Sequence, residues 1–338
     1  MKLRNVTIAA AALAVTLPAA ASAQNISLKF LTAWDDRVAG TPLIAKRLGK
    51  MLEEESKGRI TFKYSGPEVI KSRQQFQPTA RGVFDMNLSV APYYLGTTSV
   101  PMAGFALHAD VEDWRKKGYW DFFDKEMGRF NQKMIAHVTG GGGPYMFHVL
   151  LKRPLDKGDQ PLKGRKIRAN AFYKPVIEPL GGSMVNLNGG EIYSALQKGV
   201  VEGAAWPVEG NTKFKWHEQA KFMMRPRFGV SPYTVTMNMD RFKKLSKADQ
   251  ELVLSVGRKI EQTSPALFDK ATDEEIALLK KEGVQETHLE PAVAKKMQDG
   301  FLKGVWNLAI DFNKKTGPRA KELYEMAKKN GDAPASLK

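Results

Sequence analysis

The chain has 338 residues, 43% hydrophobic and 26% charged, enough to bury a sizeable core and to build roughly two domains. It has no cysteine, which excludes disulfides, cysteine nucleophiles, iron–sulfur clusters and thiolate zinc sites. Lys and Arg number 52 against 36 acidic residues, a formal charge of +16, but they are spread over predicted helix faces instead of gathered in a stripe. That spread argues against a nucleic-acid partner and for a solvated basic surface.

Lys2 and Arg4 precede an apolar run over 6–17, then Pro18 and the small residues Ala21-Ser22-Ala23. This pattern predicts a secretory signal peptide cleaved after Ala23, leaving 50 basic against 36 acidic residues, or +14. No later run approaches the roughly 18 apolar residues of a membrane span, so a soluble protein of the bacterial periplasm is expected. Residues 26–31 predict a buried strand. Thr41 is placed to cap a helix with Pro42 in its first turn and Leu43, Ile44, Leu48, Met51 and Leu52 on one face. Ile60, Phe62 and Tyr64 alternate with polar residues, as in a strand buried on one face. A helix over 71–81 should be bent or shortened by Pro78, and Phe84, Met86, Leu88 and Val90 alternate with Asp85, Asn87 and Ser89 in a third strand. Such a βαβαβ half needs right-handed crossovers and makes a parallel sheet the economical architecture.

Residues 91–105 lead out of that sheet, and 111–130 read as helix with Trp114, Trp120, Phe122 and Phe123 available for packing. Strands at 133–138 and 146–151 flank a glycine tract at 140–144. The tract lacks the Gly-Lys-Ser/Thr of a phosphate loop and reads as a flexible crossing between lobes.

The segment 162–207 is a βαβα unit. A strand over 165–170 carries Arg168 at its tip, Gly181-Gly182 stop the following helix, and a short strand spans 184–187. Asn188 and Glu191 form a capping box ahead of Ile192, Ala195 and Leu196, and a strand at 201–205 delivers Trp206-Pro207 to the same edge. Ligands of open α/β sheets collect beyond the carboxyl ends of strands, where a guanidinium can grip a carboxylate through two parallel hydrogen bonds. Alone, Arg168 reads equally well as a surface arginine in an ion pair. Trp34 and Trp206 each follow a strand and are candidate ligand walls. Tyr145, Phe172 and Tyr173 also fall near strand ends, each either wall or core. Asp35, just beyond the first strand, and Arg73, Gln74 and Gln75, near a helix start, are candidate polar contacts from the first lobe. Asn238, in a predicted strand after Tyr233, either meets ligand or satisfies a hinge backbone.

Residues 246–281 predict a nearly continuous helix with Leu252, Val256 and Ile260 on a stripe, 291–313 predict another, and 331–338 a frayed end. Enzyme signatures are missing. Lys221 stands where His217-Glu218 would need a second zinc-binding histidine, the five histidines have no ligand spacing, and no Gly-x-Ser-x-Gly elbow occurs. No catalytic residue is therefore expected, with a hydrolase as a minor alternative.

The motifs Leu162-Lys163-Gly164, Lys166-Ile167-Arg168, Leu180-Gly181-Gly182, Glu191-Ile192-Tyr193-Ser194-Ala195-Leu196-Gln197 and Gly199-Val200-Val201-Glu202-Gly203 follow in that order. With Arg81-Gly82, Phe84-Asp85-Met86 and Leu245-Ser246-Lys247-Ala248-Asp249-Gln250, this order resembles the periplasmic solute-binding subunit of TRAP (tripartite ATP-independent periplasmic) transporters, the DctP type. The resemblance implies an α/β, two-lobed periplasmic binding protein, type II-like, with hinge strands and long C-terminal helices spanning both lobes. It implies lobe I over 24–144 plus about 235–275, lobe II over 145–234 plus about 276–310, and a C-terminal helix with a frayed tail over 311–338. A non-enzymatic, monomeric receptor without cofactors follows, one that binds a small organic anion between the lobes and delivers it to a membrane permease. Arg168 falls where the family holds the ligand's carboxylate. Met146 and Trp206 stand where many relatives carry a second arginine and an asparagine, which implies a flat or apolar, even aromatic, monocarboxylate with Arg168 as the pocket's only fixed positive charge. Some members hold their carboxylate through calcium, and Glu209 beside Trp206 leaves a metal contact open. The alternative is a binding protein of another uptake or sensing system.

Overall fold

The computed structural model describes residues 25–107, 111–140 and 146–337. The expected signal peptide, most of the glycine tract and Tyr145 lie outside them.

Two sheets organise the chain. The first contains β1 (Ile26–Thr32), β2 (Ile60–Ser65), β3 (Met86–Ser89), β4 (Gln132–Thr139) and, from much later in sequence, β10 (Pro232–Asn238), in the order β2-β1-β3-β10-β4. The second contains β5 (Phe147–Leu151), β6 (Lys166–Arg168), β7 (Ser183–Val185), β8 (Gly203–Pro207), β9 (Phe222–Arg225) and β11 (Gln285–His288), ordered β11-β9-β5-β8-β6-β7. The chain thus passes between sheets after β4, after β9, and once more on the way from β10 to β11. The fold is the two-lobed α/β architecture expected.

Neither sheet is wholly parallel. β1 pairs in parallel with β2 and β3, but β10 lies antiparallel to both β3 and β4, and β5 lies antiparallel to β8 and β9. A strand that enters from the other lobe starts at the edge where the local strands end, so it must run against them. β3, flanked on both sides, is buried at all four residues despite its alternating polarity. Its Asn87 amide is satisfied internally by the Leu31 carbonyl at 3.0 Å and the Gln75 side chain at 3.1 Å.

The helices are α1 (Arg47–Glu55), α2 (Phe76–Ala80), α3 (Val111–Lys116), α4 (Tyr119–Gly128), α5 (Lys174–Ile177), α6 (Ile192–Gln197), α7 (Met239–Lys243), α8 (Lys247–Lys281), α9 (Pro291–Asp311) and α10 (Gly317–Lys329). Several differ from expectation for identifiable reasons. Thr41 is not a cap: it opens a π-helical turn, Thr41–Lys46, that leads into α1 with Gly40 at the cap position, and the Thr41 hydroxyl donates to the Trp34 carbonyl at 2.8 Å. Residues 71–81 reduce to one 3₁₀ turn and the five-residue α2, which contains Pro78. The predicted 111–130 helix is broken by Gly118 at φ 78°, a left-handed conformation that glycine adopts without steric penalty. The C-terminal tail is not frayed up to residue 337, because Asp332 pairs with Lys117 at 2.8 Å and Tyr119 at 2.7 Å and the Pro334 carbonyl accepts from Tyr324 at 2.8 Å.

α8 ties the lobes together. Ser246 caps it by accepting from the Asp249 amide, and its 35 residues extend on the order of 50 Å. Its first half is fixed to lobe I: Asp249 to Arg59 at 2.6 Å, Glu261 to Arg115 at 2.8 Å and to the His137 amide at 2.7 Å, Ser264 to Arg47 at 3.2 Å. Its second half is fixed to lobe II, where Glu275 accepts from the Thr212 amide at 2.7 Å and hydroxyl at 3.0 Å and Leu279 enters that lobe's core. Pro265 lies between the two sets. α9 also touches both lobes, packing on residues 100–105 and on α5.

The helix lies close on β4 because residue 257 has no side chain. A Cβ there would stand 2.1 Å from the Ile135 carbonyl oxygen. Gly257→Ala should therefore destabilise by about 1–3 kcal/mol, although alanine at an exposed helical position would stabilise by up to ~1 kcal/mol. A denaturant midpoint at or above wild type would show that no such close contact exists.

Candidate functional site

Three strand ends of lobe II converge to build the site. β6 lies between β7 and β8 and runs parallel to both, with Arg168 in register with Val185 and Ala204. Arg168 is the last residue of β6, so its side chain reaches the backbone where the neighbouring ladders run out. Its Nε and Nη2 donate to the Leu187 carbonyl at 3.0 and 2.8 Å, and Nη1 donates to the Ala205 carbonyl at 3.1 Å. The guanidinium is thereby clamped from both sides, with Cζ 4.7 Å from the centre of the Trp206 ring. Three of its five N–H groups are used, leaving one on each terminal nitrogen.

The electrostatics are unusual for an arginine. Arg168 is 1% exposed, yet no carboxylate lies within 4.0 Å of it among the described residues. Burial is the main effect and lowers its pKa; Tyr93 and Tyr173 oppose it in part, and the smaller effects of Arg73, which lowers it, and Glu191, which raises it, come after them. An arginine still keeps its proton, so the site holds a desolvated cation with carbonyl and π contacts but no counter-ion. Burial also keeps the phenols of Tyr93 and Tyr173 neutral by raising their pKa values, an effect the Arg168 charge only partly offsets.

Beside this cation lies a small cavity between the lobes. Lobe I contributes Trp34, Tyr93 and Phe105, lobe II contributes Phe172 and Trp206, and Tyr233 stands at the start of β10. Trp34 is fixed by hydroxyls of Thr32 and Thr41, each 2.8 Å from its carbonyl, and its indole donates to the Tyr93 hydroxyl at 3.0 Å. Trp206 is held edge-on against Trp216 at 5.3 Å. The lobes touch around the cavity: Arg73 donates to Asn186 at 2.7 Å, and the Arg37 guanidinium sits 4.5 Å from the Phe214 ring centre.

Residues 41–307 match the family described as bacterial extracellular solute-binding protein, family 7, also called DctP. The chain belongs to this family. It is a TRAP-type solute-binding receptor and not an enzyme. A solute-binding protein of Albidiferax ferrireducens is 25% identical over 78% of this chain and 79% of its own length. A monocarboxylate 2-oxoacid-binding periplasmic protein of a Nostoc species is 27% identical over 68% of this chain and 64% of its own. Among solved structures, a TRAP periplasmic solute-binding protein of Desulfovibrio salexigens with bound orotic acid shares the fold, with a TM-score of 0.76 at 20% identity over 89% of this chain and 99% of that one. No helix among the described residues of this solute-binding protein is long and apolar enough to cross a membrane.

The candidate residues separate clearly in this receptor. Trp34, Phe172 and Trp206 line the cavity and Arg168 stands behind Trp206, whereas Tyr145 lies outside the described residues. Arg73 lines no part of the cavity but reaches across the cleft, so Arg168 is not the only cation near it. Asp35 is turned outward into an ion pair with Arg37 at 2.7 Å, and that hydrogen bond lowers its pKa. Gln74 is exposed and does not line the cavity, and Gln75 is spent inside the fold on the carbonyls of Thr32 and Ile70. Asn238 caps α7 and binds the carbonyls of Thr79 and Ala80. It stands at the far end of β10 from the cavity, because β10 runs antiparallel and presents its amino end, at Tyr233, to the cleft. Sequence reasoning overlooked Tyr93, Asn170 and Tyr233. The strand-end rule that found Trp34 would also have found Tyr93, shortly after β3, but it cannot find Tyr233 on a reversed strand.

Among the described residues Glu209 belongs to no cluster of acids or histidines that could hold a metal ion. One of its oxygens accepts from the Thr272 hydroxyl of α8 and the other is buried without a partner. Burial pushes its pKa up to about 7; Thr272 and the charge of Arg227 oppose the rise and Glu275 adds to it. A carboxyl whose folded pKa exceeds its ordinary 4.5 stabilises the fold fully only below that ordinary value and loses the contribution as pH climbs through about 7. Glu209→Gln should therefore match wild type near pH 4.5 and become the more stable protein by pH 8 in urea titrations. Parallel stability curves for the two proteins would contradict a neutral Glu209.

Proposed function

We propose that this receptor is exported and closes over a small organic monocarboxylate, holding the carboxylate on Arg168 and the body of the ligand between Trp34, Phe172 and Trp206, for delivery to a TRAP permease. The observation that carries the reading is the buried guanidinium that retains one N–H on each terminal nitrogen and has no carboxylate among the described residues. A ligand carboxylate supplies the missing counter-charge and takes both N–H groups in a bidentate pair. The aromatic lining favours a flat or apolar body. The Nostoc relative is named for 2-oxoacids and the Desulfovibrio structure for orotic acid, which are carboxylates as well. A ligand touching both lobes gives the closed arrangement its differential contacts, and the lobe boundaries expected from the sequence put Trp34 and Trp206 on opposite walls.

Titration calorimetry with a panel of mono- and dicarboxylates tests this directly. Arg168→Ala should weaken the best ligand by about 2–5 kcal/mol, and Arg168→Lys should restore only part of the loss because an ammonium cannot form the planar pair. Full affinity in the alanine variant would refute the assignment.

A further inference from the structure

Among the described residues lining the cavity, Asn170 carries a buried side-chain oxygen that has no partner. Asn170 lies two residues past Arg168 in extended backbone, with φ −104° and ψ 173°. The two side chains therefore leave the chain on the same side, with Cα atoms roughly 7 Å apart. Asn170 also heads the turn Ala171–Tyr173, a position where asparagine ordinarily caps a helix, yet its side chain makes no capping bond. Only 8% exposed, it lines the cavity, and its side-chain oxygen is buried without a partner. On the same cavity the indole N–H of Trp206, 4% exposed, is unpartnered too. Buried polar groups left unmade are costly, so a pair of them on residues that line one cavity calls for a ligand that completes both.

We propose that Asn170 and the Trp206 indole N–H read the ligand's other polar edge, and that the cargo is a flat ring acid bearing a lactam-type N–H and C=O side by side. This rests on the reading of Arg168 as the carboxylate grip. An asparagine amide presents donor and acceptor next to each other whichever way it is turned, so its complement is a group that does the same. A ring amide has that edge, and its carbonyl keeps a second lone pair for the Trp206 N–H. A ring suits the walls because they are aromatic: Trp34, Tyr93, Phe105, Phe172 and Trp206 line the cavity, with Phe172 packed 4.9 Å from Phe105 and 5.0 Å from Phe147 at inclined angles. A second carboxylate suits it less well, since it could take only the Asn170 N–H groups and would leave the amide oxygen unpaired, and the described lining supplies no lysine or arginine beyond the neighbouring Arg168.

Two matched pairs of probes decide the matter by calorimetry on full-length protein freed of bound solute: 6-oxo-1,6-dihydropyridine-3-carboxylate against benzoate, and 5-oxoproline against cyclopentanecarboxylate. Wild type should bind the lactam of at least one pair roughly tenfold or more tightly than its carbocycle. Asn170→Leu should erase that preference while leaving carbocycle affinity within about threefold, and Asn170→Ser serves if the leucine variant misfolds. Equal binding within both pairs, or a preference that survives both substitutions, overturns this inference and leaves the carboxylate reading intact. Absence of binding by all four acids also overturns it, and the wider carboxylate panel with Arg168→Ala then decides separately whether the grip itself stands.

Discussion

Everything about the site depends on a cation being held in place without being neutralised. The protein solves this by setting Arg168 on the middle one of three parallel strands and ending that strand early. The flanking carbonyls at Leu187 and Ala205, which would otherwise face open space, take up three N–H groups, and Trp206 covers one side of the cation. Carbonyl dipoles orient a guanidinium but leave its full charge in place, so the desolvation cost remains until an anion arrives. An acid side chain at the same spot would have compensated the charge permanently and closed the site.

Such a cation is useful only if water can be kept from it, which requires the second lobe. The rigid parts responsible lie far from Arg168: α8 is anchored on lobe I through Asp249 and Glu261 and on lobe II through Glu275, and Gly257 allows it to lie directly against β4. Lobe I then supplies Trp34, whose carbonyl is held by two threonine hydroxyls and whose indole is fixed by Tyr93. One wall of the cavity is thus as firmly positioned as the cation on the other side.

Local signals proved reliable where local physics decides. The long α8, the positions of β2 and β3 and the placement of Arg168 at a strand tip were all legible, because each depends on residues a few positions apart, whereas the one-face burial read from their alternation was not, since Tyr64 is exposed in β2 and β3 is buried throughout. What stayed hidden depends on partners distant in sequence. Asn238 looked like a cleft residue because nothing local reveals that β10 enters reversed. Asp35 sits next to a true wall residue, but Arg37 two positions on captures it. Gln75 and Asn87 are polar residues in the interior whose purpose appears only once the carboxyl end of β1, at Leu31 and Thr32, is seen to need donors. The glycine at 118 and the proline at 78 divided helices that periodicity alone would have run through.

Pro265 gives the long helix a mechanical property that its contacts do not reveal. Lacking an N–H, it leaves the Glu261 carbonyl without its helical donor, so the backbone ladder of α8 already has a gap. Bending there breaks no further backbone bond, whereas bending elsewhere in the helix would. The gap falls just past Ser264, the residue that meets Arg47 of lobe I, and ahead of Thr272, which meets Glu209 of lobe II. The rod joining the lobes is therefore most compliant near the level of the cleft, and a change in the angle between lobes can leave both of its anchored ends undisturbed.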